Sequence, residues 1–215
     1  MRFDILTIFP SIFTSFLNES ILKRAQARKL IEIYIHDIRK FAAGRHKTVD
    51  DKPYGGGPGM IIKIEPLFKC LKAVRKKNKG KVILLSAKGK IFNQKMAQDL
   101  ARGKHLILIC GRYEGFDERI KKYVDLELSV GQYVLMGGEV PAMTIVESVS
   151  RLIPKVLGQK NSTKEESYTK ALNYLEYAQY TRPPLFRGAK VPSVLLSGDH
   201  KKIKIWRDKS AKIIK

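Results

Sequence analysis

The chain has 215 residues, of which 44% are hydrophobic, so it can build a sizeable core, and global disorder is excluded. Its 42 Lys and Arg residues outnumber its 20 Asp and Glu residues, which gives a formal net charge of +22. This charge makes a polyanion, above all a nucleic acid, the first partner to consider. The alternative is that lysine serves only to keep the protein soluble.

The positive charge is spread along the chain, since residues 161–215 alone hold 12 basic and five acidic residues. A folded basic surface is therefore favoured over a basic arm. The two cysteines, Cys70 and Cys110, lie on apolar segments, where we expect core positions, and they are too few for a disulfide framework. No spacing indicates a metal site. Without a signal-peptide pattern or an apolar run of about 18 residues, we expect a soluble cytoplasmic protein.

In chain order, short apolar segments alternate with helical patterns up to residue 110. The predicted strands are "RFDILTIF" (2–9), "LIEIYIHDI" (30–38), "KVILLS" (81–86) and "HLILIC" (105–110), and the predicted helices are 10–29, 66–77 and 93–103. Such alternation is typical of an α/β domain whose sheet is largely parallel and covered on both faces.

After residue 110 the pattern is less regular. It predicts a helix at "DERIKKYVD" (117–125), a strand at "LELSV" (126–130) and an amphipathic helix at "PAMTIVESVSRLI" (141–153). A polar stretch at 158–166 predicts a linker. Residues 167–215 predict a small, mostly helical unit, with helices around "TKALNYLEYA" (169–178) and in the basic terminal segment. We therefore divide the chain into 1–157, 158–166 and 167–215.

The segment "HKTVDDKPYGGGPGM" (46–60) is rich in glycine. It has neither the lysine nor the hydroxyl of a phosphate-binding P-loop, and Met60 and Ile62 stand where the dinucleotide fingerprint GxGxxG requires glycine. An ordinary surface turn is one interpretation. The other is a binding loop, because glycines let backbone approach a flat ligand without Cβ interference.

Two further glycine-containing loops follow predicted strands. "CGRYEGFDER" (110–119) comes directly after "HLILIC", and "SVGQYVLMGGEVPA" (129–142) comes after "LELSV". In open α/β sheets, ligands bind beyond the carboxyl ends of the strands, so these loops predict a nucleotide-like pocket. The alternative for the loop at 110–119 is a strand-to-helix turn in which Asp117 caps the next helix.

Together, "HKTVDDKPYGGGPGM", "LILICGRYEGFDER" and "SVGQYVLMGGEVPAM" resemble the bacterial tRNA (guanine-N1)-methyltransferases, which modify the guanine 3′ to the anticodon. "YTRPPLFRGAKVPSVLLSGDH" (180–200) and "IKIWR" (203–207) resemble the C-terminal tRNA-binding domain of that family. The likeness covers essentially the whole chain. It implies a SPOUT-class domain with a deep trefoil knot, an exception to the rule that chains avoid threading. It also implies a homodimer with its active site at the subunit interface and S-adenosyl-L-methionine bound in the knot.

The resemblance also implies which residues form the site. The donor pocket would comprise Leu85, Ser86, Gly111, Glu114, Val130, Gly131, Gln132, Tyr133, Val134, Leu135, Gly137, Gly138 and Pro141. Asp50, Pro58 and Gly59 would then form a surface for the target guanine, which fits enzymes that take a base out of the stack.

Methylation of guanine N1 requires removal of the N1 proton, so the chemistry needs a general base and a cation near O6. By position, Arg151 would be the cation. Glu166 stands where the family uses an aspartate as the base, and Glu165 is the fallback. Because the aspartate is absent, a non-catalytic RNA-binding module stays an alternative, as does a SPOUT methyltransferase with another RNA target.

Overall fold

The computed structural model describes residues 1–77, 79–158, 163 and 165–213. The chain divides into two compact units, Met1–Gly158 and Gln159–Lys215. The strands of the first unit are β1 (Arg2–Thr7), β2 (Glu32–Asp37), β3 (Asp50–Asp51), β4 (Ile61–Ile62), β5 (Lys81–Ile91), β6 (His105–Cys110) and β7 (Leu126–Ser129). Its α-helices are α1 (Thr14–Leu17), α2 (Ser20–Ala27), α3 (Ile64–Lys77), α4 (Gln94–Ala101) and α5 (Glu139–Ser150).

Five of these strands form one sheet in the order β2-β1-β6-β5-β7, and every neighbouring pair is parallel. Successive side chains of a strand point to opposite faces, so apolar runs serve two cores. Phe3 and Ile5 belong to the core shared with α2, α4 and α5, whereas Leu6 belongs to the core shared with α3. The predicted α/β domain with a parallel sheet is confirmed.

Both cysteines lie in these cores, as expected from the apolar segments that carry them. Burial raises the pKa of the Cys70 thiol to about 12 and the pKa of the Cys110 thiol well above its usual value. Both thiols therefore stay protonated near neutral pH and act as packing groups.

The strand β5 is longer than the apolar run that predicts it. Its partner β7 pairs with Leu85 and again with Lys90, through a shift in register between the two. Gly89 makes this possible, because a Cβ at that position would lie 2.5 Å from the backbone nitrogen of Leu128. The close approach also places the end of β5 beside the carboxyl end of β7, where Ile91 pairs with Ser129.

The predicted helix at 117–125 is a 3-10 helix at Glu118–Tyr123, and Asp117 caps it by accepting a hydrogen bond from the backbone nitrogen of Arg119. The other 3-10 helices are Pro10–Phe13 and Ile38–Phe41. The helical stretch predicted at 10–29 is thus broken into a 3-10 turn, α1 and α2.

The second unit contains β8 (Tyr174–Leu175), β9 (Leu185–Phe186), β10 (Ala189–Lys190), α6 (Ser193–Leu196), α7 (His200–Ser210) and β11 (Lys212–Ile213). The helix predicted around "TKALNYLEYA" is wrong. β8 pairs antiparallel with β11, and Tyr168 donates a backbone hydrogen bond to Tyr174, so tertiary pairing overrides local helix propensity. The described part of this unit is accordingly mixed rather than mostly helical.

Most of the predicted linker, 158–166, lies outside the described residues, so that assignment stays a prediction. In the described part of the chain, no helix combines the length and apolarity needed to cross a bilayer.

A buried carboxylate, Asp4, lies on β1, between β2 and β6, with no exposed surface. Burial alone would raise its pKa, but hydrogen bonds from His36, Arg2 and His105 outweigh burial and hold the pKa well below the ordinary value. The two histidines that occupy strand positions therefore have a structural role.

We expect the free energy of unfolding, measured with urea, to fall as the pH is lowered below about 4, the ordinary pKa of Asp. The folded-state pKa of Asp4 is depressed, so its contribution is complete above the unfolded pKa and is lost as the pH falls through the folded pKa. Asp4→Asn should lower the free energy of unfolding by about 3 kcal/mol at neutral pH. It should also weaken the dependence of that free energy on pH below about 4. If the variant keeps the same dependence of unfolding free energy on acid pH as the wild type, other carboxylates cause it.

Candidate active site

Two loops meet residues 84–88 of β5 at one edge of the sheet, because β5, β6 and β7 run parallel. Counting the glycine-rich segment 46–60 as the first loop, the second loop follows β6 and the third loop follows β7. They enclose a cavity of about 270 Å³, which we call the loop cavity. Most of the predicted donor-site residues line it: Leu85, Ser86, Gly111, Glu114, Val130, Tyr133, Val134, Leu135, Gly137, Gly138 and Pro141.

Gly131 and Gln132 are the predicted donor-site residues that do not line the loop cavity. They lie in the third loop, where the Ser129 hydroxyl donates a hydrogen bond to the carbonyl oxygen of Gly131. The ring of Tyr133 folds back over Gly131, and its hydroxyl donates to the carbonyl oxygen of Val130, 3.3 Å away. The roles of these residues stay predictions.

The second and third loops are joined by direct backbone contact. The backbone nitrogen of Gly138 donates to the carbonyl oxygen of Gly111 at 2.8 Å. A Cβ on Gly138 would lie 2.7 Å from both the Cα of Cys110 and the nitrogen of Gly111, and neither backbone atom can move freely. This position therefore requires glycine.

An ion pair inside the fold supports the same junction. Arg112 Nε donates to Glu139 Oε2 at 2.8 Å, and the hydroxyl of Thr7 donates to Glu139 Oε1 at 2.7 Å. The guanidinium lies 4.7 Å from the ring centre of Phe9. Sequence reasoning missed these contacts, because an acidic residue in the first turn of a helix is usually an exposed partner of the helix dipole. Here Glu139 is 1% exposed.

The electrostatics of the loop cavity are mixed. Lys121 forms ion pairs with Glu118 and Glu127, and all three residues line the cavity. The second oxygen of Glu127, Oε1, is buried, with no hydrogen-bond partner among the described residues. A ligand that donates a hydrogen bond would satisfy this atom.

The predicted substrate loop packs directly against the second loop. Asp50 lies in β3, which pairs with β4, and the backbone nitrogen of Glu114 donates to the carbonyl oxygen of Met60 at 3.0 Å. Gly59 has φ +82° and lies so close to Glu114 that a Cβ would overlap its side chain. Pro58 belongs to the same turn. The loop therefore adjoins the loop cavity, while its role in guanine binding stays a prediction.

Arg151 does not line the loop cavity. It is the C-cap of α5 and lines a second cavity of about 460 Å³, the helix cavity, formed with residues of α1, α2 and α5. The two cavities have no lining residue in common.

The two candidate bases belong to the second unit. The carbonyl oxygen of Glu166 accepts hydrogen bonds from the backbone nitrogen and the hydroxyl of Thr169. The Glu165 carboxylate accepts a hydrogen bond from the Tyr177 hydroxyl at 3.3 Å. Glu165 is thus engaged in a contact within its own unit.

The helix α7 combines cationic and aromatic side chains. Asp199 caps it by accepting hydrogen bonds from the backbone nitrogens of Lys201 and Lys202. The Trp206 ring lies 6.3 Å from that of Tyr180, and the Arg207 guanidinium lies 4.8 Å from the ring centre of Tyr177. Basic groups interleaved with rings are typical of nucleic-acid surfaces.

A parallel sheet with a loop-lined cavity at its carboxyl edge defines an α/β protein of the kind that binds nucleotide-like ligands. A family model described as tRNA (Guanine-1)-methyltransferase TrmD matches residues 1–213. The chain therefore belongs to the tRNA (guanine-1)-methyltransferase TrmD family.

Individual relatives agree with this assignment. The tRNA (guanine-N(1)-)-methyltransferase of Dictyoglomus turgidum is 53% identical over 211 residues, which cover 98% of this chain and 85% of the relative. That of Clostridium botulinum is 49% identical over 214 residues, covering 100% and 88%. The crystal structure of tRNA (m1G37) methyltransferase from Aquifex aeolicus matches with a TM-score of 0.81 and 40% identity, over 96% of this chain and 87% of that one.

We expect Gly138→Ala to lower the free energy of unfolding by about 1–3 kcal/mol, the order found for overpacked cores, because the added Cβ meets the backbone of Cys110 and Gly111. Urea unfolding followed by circular dichroism measures this loss. Gly158→Ala is the matched control, because no atom of the described residues lies within 4 Å of a Cβ there, and it should unfold like the wild type. Equal stability of the two variants would contradict the close contact at Gly138.

Proposed function

We propose that this protein transfers a methyl group from S-adenosyl-L-methionine to N1 of the guanine at position 37 of tRNA. The observation that carries the proposal is the convergence of the predicted donor-site residues on one cavity, in a chain that belongs to this family. The net charge of +22 suits a tRNA substrate. Because tRNA is modified where it is used, we place the enzyme in the cytoplasm.

The residues of the loop cavity fit this donor. Gly111, Gly137 and Gly138 line the cavity, and backbone groups there that are not used in the Gly138–Gly111 hydrogen bond can bind the adenine and ribose. The buried and unpaired Oε1 of Glu127 is an acceptor for a hydroxyl or ammonium group of the ligand. When bound, the donor supplies a sulfonium methyl group for an in-line displacement.

This chain's own residues then manage the proton and the charge. The carboxylate of Glu166 takes the N1 proton, so that the N1 lone pair can attack the methyl carbon. The guanidinium of Arg151 steadies the negative charge that develops on O6. Much of the remaining acceleration comes from alignment of N1 with the methyl group.

We propose further that the active site is completed by a second copy of the chain. Two observations support this. Arg151 lines the helix cavity rather than the loop cavity. In addition, Val134 and Met136, beside the loop cavity, are each 88% exposed, and apolar side chains exposed to this extent are suited to an interface. A homodimer would bring Arg151 of one protomer to the loop cavity of its partner. We also propose that the α/β unit contains the deep trefoil knot of the SPOUT class.

The most direct test of the function is methyl transfer to a tRNA transcript followed by mapping of the modified base. We expect labelled methyl from S-adenosyl-L-methionine to appear on N1 of the guanine at position 37. Gly111→Val is the matched negative control, because the added side chain would overlap the Phe116 ring and intrude into the loop cavity. Transfer no greater than that control would refute the function, and label on another base would favour a different RNA target.

Glu166→Gln should lower the turnover number by about 100-fold or more, the usual contribution of a general base. Donor affinity, measured by calorimetry, should stay near that of the wild type, because the substitution leaves the loop cavity intact. Glu165→Gln is the control and should have a small effect on turnover. A parallel fall in turnover and donor affinity in Glu166→Gln would remove its role as base.

A further inference from the structure

Glu139 is a buried charge that the proposed reaction does not use. It occupies the first turn of α5, directly after Gly138, and 1% of its surface is exposed. It does not line the loop cavity. Burying a carboxylate is costly unless it is paired and hydrogen-bonded, so its presence here requires an explanation.

Both carboxylate oxygens have partners that lie at the edge of the site. Oε2 accepts from Arg112 Nε at 2.8 Å, and Oε1 accepts from the hydroxyl of Thr7 at the end of β1. Thr7 in turn accepts a hydrogen bond from the backbone nitrogen of Phe9, the residue whose ring lies under the Arg112 guanidinium. The carboxylate therefore joins β1, the loop after β6 and the start of α5.

Arg112 transmits this contact to the wall of the cavity. It lines the loop cavity, and its backbone forms an antiparallel bridge with Gly137. The side chains of Arg112 and Glu139 fill the space that a Cβ on Gly137 would need. The third loop is thus held against the second by the ion pair as well as by the contact at Gly138.

We propose that Glu139 is a positioning residue that holds Arg112 and thereby sets the distance between the two glycine loops that bind the methyl donor. The inference rests on the proposed use of the loop cavity for S-adenosyl-L-methionine. Without the negative charge, Arg112 loses its ion pair, and a neutral amide oxygen holds the guanidinium less tightly, so that it can turn towards solvent. The loops then separate more easily, and the donor must restore their spacing when it binds.

Glu139→Gln tests this, because it keeps the size of the side chain and removes its charge. We expect the dissociation constant for S-adenosyl-L-methionine, measured by calorimetry, and the donor KM to rise about tenfold, as when an ion-paired hydrogen bond is weakened to one with a neutral acceptor. The turnover number at saturating donor and tRNA should stay within about twofold of the wild type, because the base and the cation are untouched.

Arg112→Lys provides a second variant that keeps a positive charge but loses the planar fork. If Glu139 acts through Arg112, the effects of the two substitutions should not add. The double variant with Glu139→Gln and Arg112→Lys should then bind the donor no more weakly than whichever single variant has the lower donor affinity. Glu139→Asp, which retains the charge, should recover part of the donor affinity lost in Glu139→Gln.

Asp4→Asn is the matched control, because Asp4 is also a fully buried, ion-paired carboxylate but does not line the loop cavity. It should lower the melting temperature while leaving the donor KM unchanged. The inference is overturned if Glu139→Gln only lowers the melting temperature and leaves the donor KM at the wild-type value, or if the effects of the two single variants simply add. If the wild type itself binds no S-adenosyl-L-methionine, the proposed donor fails rather than the role of Glu139.

Discussion

The contact between Gly138 and the end of β6 is the constraint on which the candidate site depends. Backbone meets backbone there, with a hydrogen bond of 2.8 Å from Gly138 to Gly111 and no room for a side chain. It closes the loop after β7 onto the loop after β6, and the loop cavity is the space that remains between them. The parallel sheet makes the contact possible, because it brings the carboxyl ends of β5, β6 and β7 to one edge.

Among the described residues of the first unit, two carboxylates are almost completely buried, and each has a basic partner. Asp4 is surrounded by Arg2, His36 and His105, and its contacts join β1 to both neighbouring strands. Glu139 is paired with Arg112 beside the cavity, where the same kind of contact joins loops. A buried ion pair is weak evidence for net stability, but the loss of one partner is costly, so each pair fixes a specific arrangement. The Asp4 contacts fix the arrangement of the strands, and the Glu139 contacts fix the arrangement of the loops at the site.

Much of this architecture could be predicted from the sequence. Apolar runs such as "HLILIC" and "KVILLS" are long enough for strands and too short for helices, and the glycines that follow strands mark the loops of the site. Other features depend on contacts between distant residues. The second pairing of β7 with β5 needs the close approach at Gly89, and the burial of Glu139 needs Thr7, 132 residues away. The segment "TKALNYLEYA" has a helical apolar pattern, but Tyr174 and Leu175 pair with residues near the end of the chain instead.

Amide hydrogen exchange with and without S-adenosyl-L-methionine shows most directly whether residues 84–88 of β5 and the loops after β6 and β7 form the donor site. We expect slower exchange on addition of the donor in peptides covering 84–88, 111–116 and 130–138, with little change in β2 and α3. No protection, or protection confined to the helix cavity around Arg151, would contradict it.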